Sequence, residues 1–157
     1  MGKDDKTNVM RVFDAAGVKY EHYSFDAKQK SGAEAARETG ADPASVFKTL
    51  VTVGRSGEHY VFMIPVPAEL DLKLAAAAAG EKSISMIKEK ELLPLTGYVH
   101  GGCSPVGMKK QFRTFIDESA EAFDRIYFSG GKVGRQVSLD PRELEKVIRI
   151  ERADLCG

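Results

Sequence analysis

The sequence predicts an α+β domain in which a mixed or antiparallel, barrel-like sheet is flanked by short helices. One observation is that strand-like and helix-like segments interleave without a strict strand–helix–strand rhythm. The other is a central hairpin, in which the apolar runs 46–53 and 58–65 flank the turn at residues 54–57. A doubly wound parallel sheet needs long crossover helices between its strands, and a central hairpin fits it poorly.

The elements before the hairpin have recognisable ends. Thr7 is placed to cap a helix that stops at Gly17, because glycine readily adopts the left-handed conformation at a helix end. The aromatic segment 18–25 favours a strand. A capping box at residues 31–34 opens a second helix that ends near Gly40, and Asp42-Pro43 starts a short helical turn.

After the hairpin, short elements continue to the C-terminus. Asp71 caps a helix that stops at Gly80, and a strand over 82–87 and a helix over 89–93 follow. Asp140-Pro141 begins the last predicted helix. Further strands are expected near residues 98–99, 113–116, 126–128 and 136–137.

Composition predicts a single cytoplasmic domain over residues 1–157. The 23 basic and 23 acidic residues give zero formal charge and alternate along the chain, which argues against tight binding to duplex DNA. The sequence has no apolar run of about twenty residues, so we expect no membrane partner. Two distant cysteines, Cys103 and Cys156, make a disulfide framework improbable.

Lys48 is a single cation in a strand-like apolar segment. Period two places it with Val46 and Leu50 on an apolar face, where an unpaired ammonium is costly to bury. Either the lysine extends from a sheet edge to solvent, or it lines a pocket and holds a phosphate, a carboxylate or a developing oxyanion.

Two glycine-rich segments, 100–107 and 129–134, interrupt strand-like sequence. Each is either an ordinary turn or a place where backbone N–H groups closely approach a ligand. His100 and Cys103 do not suggest a hydrolase pair, because residues three apart in an extended segment point to opposite faces. The histidines have no companions with metal-ligand spacing, so we predict no metal and no cofactor.

These segments together resemble a known family. The order VFKTLV, PVPAELDLKLAAAAAG, TGYVHGGCSPVG and IYFSGGKVG is similar to that of the YbaK/ProX family, over a core of about residues 8–153. Its members are free-standing relatives of the editing domain inserted in bacterial prolyl-tRNA synthetases. The resemblance implies a barrel-like mixed sheet and hydrolysis of the ester that joins a wrong amino acid to tRNA.

The resemblance also implies site residues. It places the family lysine at Lys48 and implies substrate contacts from two strands and two loops. The implied substrate-binding residues are Tyr23, Gly101, Gly102, Ser104, Pro105, Ser129, Gly130 and Gln136. Gln136 departs from the aspartate that YbaK-like proteins often carry, so it can hydrogen-bond but cannot pair electrostatically with an α-ammonium.

The expected function is trans-editing, with Cys-tRNA(Pro) as substrate. An activated ester needs positioning and oxyanion stabilisation, which Lys48 and the backbone N–H groups near Gly101 could supply. Alternatives are an Ala-tRNA(Pro) deacylase of ProX type, a module that binds tRNA or a synthetase without hydrolysis, and a small-molecule hydrolase. Expected partners are the tRNA acceptor end and prolyl-tRNA synthetase. Candidate phosphate contacts are Lys109, Lys110 and Arg113, whose alternative is a solvated face.

Overall fold

The computed structural model describes residues 6–157, which form four α-helices and eight strands. Three short 3₁₀ helices, at residues 43–45, 118–122 and 141–146, connect them. The helices are α1 (Asn8–Ala16), α2 (Gly32–Glu38), α3 (Leu72–Ala79) and α4 (Glu89–Thr96). The strands are β1 (Glu21–Ser24), β2 (Phe47–Gly54), β3 (His59–Pro65), β4 (Ile84–Met86), β5 (Arg113–Asp117), β6 (Ile126–Ser129), β7 (Arg135–Leu139) and β8 (Ile150–Ala153).

The predicted helix ends are confirmed. The Thr7 hydroxyl accepts the Met10 N–H, and Gly17 ends α1 with φ of 71°. Ser31 forms the predicted capping box at the start of α2. Asp71 caps α3 by accepting two backbone N–H groups.

The strands form two open sheets. One has the order β4-β2-β3-β5-β8, in which the β2–β3 hairpin is antiparallel and β5 pairs parallel with both β3 and β8. The other has the antiparallel order β1-β7-β6. A single parallel bridge between Val46 and Tyr127 links the two among the described residues. The α+β prediction is confirmed, but the sheets do not close, so "barrel-like" applies only loosely.

The largest core cluster lies around α1 and draws on both sheets. It includes Phe13 from α1, Phe47 and Val51 from β2, and Phe128 from β6. A second cluster packs α3 against Phe62 and Phe115 on the five-stranded sheet. β2 therefore has a core on each of its faces. Lys48 is on this strand, between the two core clusters.

Asp117 holds the C-terminal segment against the sheet. It is buried, and its carboxylate accepts the Leu155 N–H at 2.9 Å and the Ser119 N–H at 3.1 Å. Burial raises the pKa of Asp117, but these hydrogen bonds outweigh it and hold the pKa below its ordinary value. The fully buried Leu155 thereby joins the second core cluster.

One expectation about secondary structure is wrong, and one strand was missed. Residues 98–99 are not a strand, because Gly97 turns the chain with φ of 85° and the Val99 carbonyl is used in a further turn. The last predicted helix is present as a 3₁₀ helix capped by Asp140. Strand β8 was not predicted at all. No helix among residues 6–157 is long and apolar enough to cross a membrane.

Candidate functional site

A cleft of about 340 Å³ lies where the two sheets part. It collects residues from β2, β6, β7, the start of α2, α4 and the loop after α4. Its walls are Phe25, Ser31, Gly32, Ala33, Val46, Phe47, Lys48, Thr49, Leu50, Val66, Leu92, His100, Gly101, Cys103, Phe128, Ser129, Arg135 and Gln136.

The cleft opens at an unpaired stretch of the β2 edge. The Val51 carbonyl accepts the Ile87 N–H, so the Val51 backbone faces away from β3. Backbone groups alternate in direction along a strand, which puts the Thr49 N–H and C=O on the same edge. β4 pairs with residues 52–54, and the bridge to β6 is at Val46, just before β2 begins. The Thr49 backbone groups therefore lie between these two pairings, without a strand partner among residues 6–157.

Lys48 lies in this cleft, half-buried. It shares a strand face with Leu50, which packs against the second core cluster. Within residues 6–157, no hydrogen bond or ion pair engages its ammonium. A cation in a cleft that is not paired with a carboxylate of the described residues attracts an anionic group of a ligand.

The two glycine-rich segments contact each other at the cleft. A Cβ built on Gly102 would lie 3.0 Å from the Val133 nitrogen, so the first segment packs directly on the backbone of the second. Gly101 lines the cleft and has φ of 87°. Residues 129–134 form the β6–β7 hairpin, in which the Gly130 N–H donates to the Arg135 carbonyl at 2.9 Å. The turn interpretation is thus confirmed for the second segment, and its first residue, Ser129, also lines the cleft.

Gln136 is buried with its amide in a fixed orientation. Its side chain is 3% exposed, and Nε2 donates to the Gly32 carbonyl at 2.9 Å. Because a carbonyl can only accept, this bond assigns the nitrogen and leaves Oε1 as the free acceptor. Oε1 has no partner among the described residues. Gln136 lines the cleft, so this position offers a neutral acceptor to a ligand.

Five implied substrate contacts lie outside the lining of the cleft. Tyr23 packs on Tyr127, and its hydroxyl bonds to the Ser138 hydroxyl at 3.1 Å. Ser104 is fully buried, and its hydroxyl accepts the Val106 N–H. The other three are also buried, next to the lining residues rather than among them: Gly102, Pro105 and Gly130.

Part of the cleft lining is apolar. Phe47 and Phe128 belong to the largest core cluster, and Leu92 and Cys103 pack against it. Burial raises the pKa of the Cys103 thiol to about 12, so it is protonated at neutral pH. A protonated thiol is a poor nucleophile, which agrees with the expectation that His100 and Cys103 are not a hydrolase pair.

The three candidate phosphate contacts differ. Lys109 and Lys110 are exposed, and Lys110 lies 5.9 Å from the Phe112 ring centre. Arg113 is on β5, where two of its side-chain nitrogens bond to Glu151 at 2.7 and 3.0 Å. Arg113 is also stacked over Phe115. It therefore has a structural partner and does not lie at the cleft.

Several cleft residues were not predicted from the sequence. Arg135 lines the cleft as the first residue of β7, and its position directly before Gln136 was a signal that could have found it. Thr49 lies on the strand face opposite Lys48. Both residues line the cleft nevertheless, because the cleft wraps around the edge of β2. No signal in the sequence marks Phe25 or Leu92, which reach the cleft from distant loops and helices.

The comparisons with known proteins agree with this geometry. The family model of the aminoacyl-tRNA editing domain matches residues 26–147. The chain is 43% identical over 141 residues to a protein of Enterococcus faecalis (strain ATCC 700802 / V583) named "Putative Cys-tRNA(Pro)/Cys-tRNA(Cys) deacylase EbsC", covering 88% of this chain and 86% of that protein. It is 24% identical to the uncharacterized protein YwhH of Bacillus subtilis (strain 168), over 78% and 77% of the two chains.

A solved structure is similar over nearly the whole chain. It is described as that of "a putative trans-editing enzyme for prolyl tRNA synthetase" and superposes with a TM-score of 0.82 at 26% identity, over 96% of this chain and 98% of that chain. The predicted resemblance to the YbaK/ProX family is confirmed by these matches. This chain belongs to the aminoacyl-tRNA editing domain family.

Proposed function

We propose that the cleft hydrolyses the ester of mischarged tRNA, with Cys-tRNA(Pro) as its substrate. The observation that carries the proposal is the half-buried Lys48, whose ammonium has no partner among residues 6–157 and which lies in a cleft together with Gly101. The name of the Enterococcus relative and the description of the similar solved structure both point to editing of this kind.

The chemistry needs charge stabilisation and positioning more than a protein nucleophile. An aminoacyl ester is already activated, and hydrolysis places negative charge on the ester carbonyl oxygen. The Lys48 ammonium and a backbone N–H near Gly101 are the donors for this oxygen. Removing one such donor costs about 3 kcal/mol, which is roughly a hundredfold in rate.

A cysteinyl ester offers its own nucleophile. The substrate thiol attacks the ester carbonyl, a carbon–sulfur bond forms, and the bond to the ribose oxygen breaks as that oxygen takes up the thiol proton. The product is a thiolactone, which water then opens to free cysteine. This route agrees with the protonated state of Cys103, whose thiol is not needed as a nucleophile.

Binding of tRNA is proposed to be local. The chain has zero formal charge, so it has little long-range attraction for a polyanion, and a synthetase partner such as prolyl-tRNA synthetase would supply the rest of the tRNA selection. Lys109 and Lys110 are the exposed cations nearest in sequence to the loop at Gly101. We place the activity in the cytoplasm, where tRNA is charged.

The test is deacylation of Cys-, Ala- and Pro-charged tRNA(Pro) by the wild type and by Lys48→Met. Lys48→Met should lower kcat/KM on Cys-tRNA(Pro) about a hundredfold without a loss of stability, because the ammonium has no described partner to lose. Lys82→Met, which replaces an exposed lysine outside the cleft, is the matched control and should leave the rate unchanged.

Other results of this assay would support a different function or refute the role of Lys48. Faster release of alanine than of cysteine by the wild type would identify the ProX-type Ala-tRNA(Pro) deacylase. Retention of tRNA without release of any amino acid would identify a binding module. Wild-type deacylation by Lys48→Met would refute the role given to Lys48.

A further inference from the structure

Thr49 lines the cleft and carries a buried hydroxyl without a partner among the described residues. Its Oγ1 makes no hydrogen bond with any residue from 6 to 157. A buried hydroxyl left unpaired costs about 1–3 kcal/mol, and such groups are uncommon in folded proteins. Gln136 Oε1, in the same cleft, is also unpaired. Unpaired polar atoms at one cleft indicate that a ligand supplies the missing partners.

The face of β2 that carries Thr49 is otherwise apolar. Period two puts the Thr49 side chain on the same face of β2 as Phe47 and Val51, which belong to the largest core cluster. Phe128 of the same cluster lines the cleft as well, and so does Cys103. A ligand group here is therefore small and mostly apolar, with one polar atom that meets Thr49 Oγ1.

The opposite face of β2 carries the charge. Lys48 lies on the face of Leu50, so its ammonium and the Thr49 hydroxyl approach the cleft from the two sides of one strand edge. This arrangement separates an anionic part of the substrate, on the Lys48 side, from an uncharged part, on the Thr49 side. In an aminoacyl ester, the uncharged part is the amino-acid side chain.

We infer that Thr49 Oγ1 binds the heteroatom on the β-carbon of the aminoacyl group and so favours cysteinyl and seryl esters over alanyl esters. The cysteine thiol is a weak hydrogen-bond donor and a weak acceptor, and the serine hydroxyl is a strong donor and a strong acceptor. The alanine side chain can neither donate nor accept. A threonine hydroxyl can serve either partner because it both donates and accepts. This inference rests on the proposed function, and it adds a specificity-determining residue to it.

The experiment compares kcat/KM for tRNA(Pro) charged with Cys, Ser and Ala in the wild type, Thr49→Val and Thr49→Ser. Valine keeps the shape and removes the hydroxyl. We expect Thr49→Val to lower the Cys:Ala ratio about fivefold and the Ser:Ala ratio about tenfold, with the alanyl rate within about twofold of wild type. Thr49→Ser should restore both ratios.

Thr52→Val is the matched control on the same strand. The Thr52 hydroxyl is also buried, but it donates to the Tyr60 carbonyl at 3.0 Å, and Thr52 does not line the cleft. Its loss should lower the urea midpoint of unfolding and leave the substrate ratios unchanged. Thr49→Val should keep or raise the midpoint, because it removes an unpaired buried group.

The remaining outcomes decide against the inference in different ways. Unchanged ratios in an active Thr49→Val overturn it and leave the proposed function standing, as does an equal loss on all three substrates. A midpoint in Thr49→Val as low as in Thr52→Val also overturns it, since the hydroxyl would then have a partner in the free protein. Wild-type protein that releases none of the three amino acids overturns the proposed function and this inference together.

Discussion

Replacing Gly102 with alanine tests the contact between the two glycine-rich segments at the cleft. The added Cβ would meet the backbone of the β6–β7 hairpin at 3.0 Å (Val133 N), 3.1 Å (Lys132 C) and 3.2 Å (Lys132 Cα). Ordinary van der Waals contact starts at 3.4 Å, so these distances are 0.4, 0.3 and 0.2 Å too short. Backbone atoms cannot rotate away as a flexible side chain can, and the two segments must therefore separate.

The magnitude follows from that separation. Overpacking of this kind costs about 1–3 kcal/mol, which the lower entropy of the unfolded alanine chain offsets by about 0.4–1 kcal/mol. If a misplacement of 1 Å costs about a hundredfold in rate, a shift of a few tenths of an ångström should lower kcat/KM about three- to sixfold. The loss arises because Gly101, next to the altered residue, lines the cleft.

The assay pairs urea unfolding with deacylation kinetics, and Gly57→Ala serves as control. Gly57 is in the β2–β3 turn with φ of 96° and has open space around it, so alanine there costs about 1–2 kcal/mol of backbone strain. That variant should lose stability and keep its kcat/KM. The role given to the loop contact is refuted if Gly102→Ala keeps the wild-type kcat/KM while it is destabilised, or if it is not destabilised at all.

Three further predictions concern the two cysteines, Asp117 and Asp71. Burial raises the pKa of Cys103 to about 12 and that of Cys156 to about 11. Iodoacetamide at pH 8.5 should therefore alkylate Cys156 about ten times faster than Cys103. Peptide mass spectrometry measures the two alkylation rates, and equal rates would contradict the prediction. Because the folded pKa of Asp117 is below its unfolded value, its stabilising contribution is present above about pH 4 and is lost as pH falls through the folded pKa. Asp117→Asn should lower the free energy of unfolding by about 1–3 kcal/mol at pH 7. In urea titrations, the stability of this variant should also depend less on pH in the acid range than that of the wild type. Asp71→Ala should lower the free energy of unfolding by about 1 kcal/mol with no change in kcat/KM, since the Asp71 cap of α3 is outside the cleft.

The elements that were predicted well have local causes. The caps at Thr7 and Asp71 and the central hairpin depend on residues within a few positions of one another, so their signals are contained in short windows. β8 pairs with β5 across more than thirty residues, and its segment has mixed polarity and mostly intermediate burial. A short strand whose partner is distant carries little local signal.

The site residues also divide into those with a local sequence signal and those without one. Lys48 stood out because a cation interrupts an apolar strand, and the structure places it in the cleft. Thr49 did not stand out, since threonine is common in strands and its unpaired hydroxyl is a property of the packed structure. Ser104 and Pro105 were carried over from the motif, yet the loop turns them inward, away from the lining. A motif identifies the loop, whereas the direction of each side chain depends on how that loop packs.

Gln136 occupies the position where the family resemblance implies an aspartate, and Gln136→Glu tests how the structure accommodates a neutral residue there. The amide satisfies the Gly32 carbonyl with Nε2 and keeps Oε1 for a ligand, at any pH. A glutamate of the same length has only acceptors when ionised, so it would face the Gly32 carbonyl without a donor and at 3% exposure. Burial and this repulsion should raise the pKa of the introduced carboxyl above its unfolded value of about 4.3.

The raised pKa of the introduced carboxyl determines how the stability of the variant depends on pH. A carboxyl whose folded pKa is raised is favourable in its protonated form, so the variant loses stability as pH rises from the unfolded to the folded pKa, by about 1.4 kcal/mol for each pH unit between the two values. Gln136→Glu should therefore unfold nearly like the wild type at pH 4 and more easily at pH 8, in urea titrations at both pH values. A deficit that does not change with pH would show that a cation of the cleft, such as Arg135, neutralises the new carboxylate. In that case the cleft could accommodate an anion at position 136, and Gln136 would be one of two workable solutions rather than a requirement of this fold.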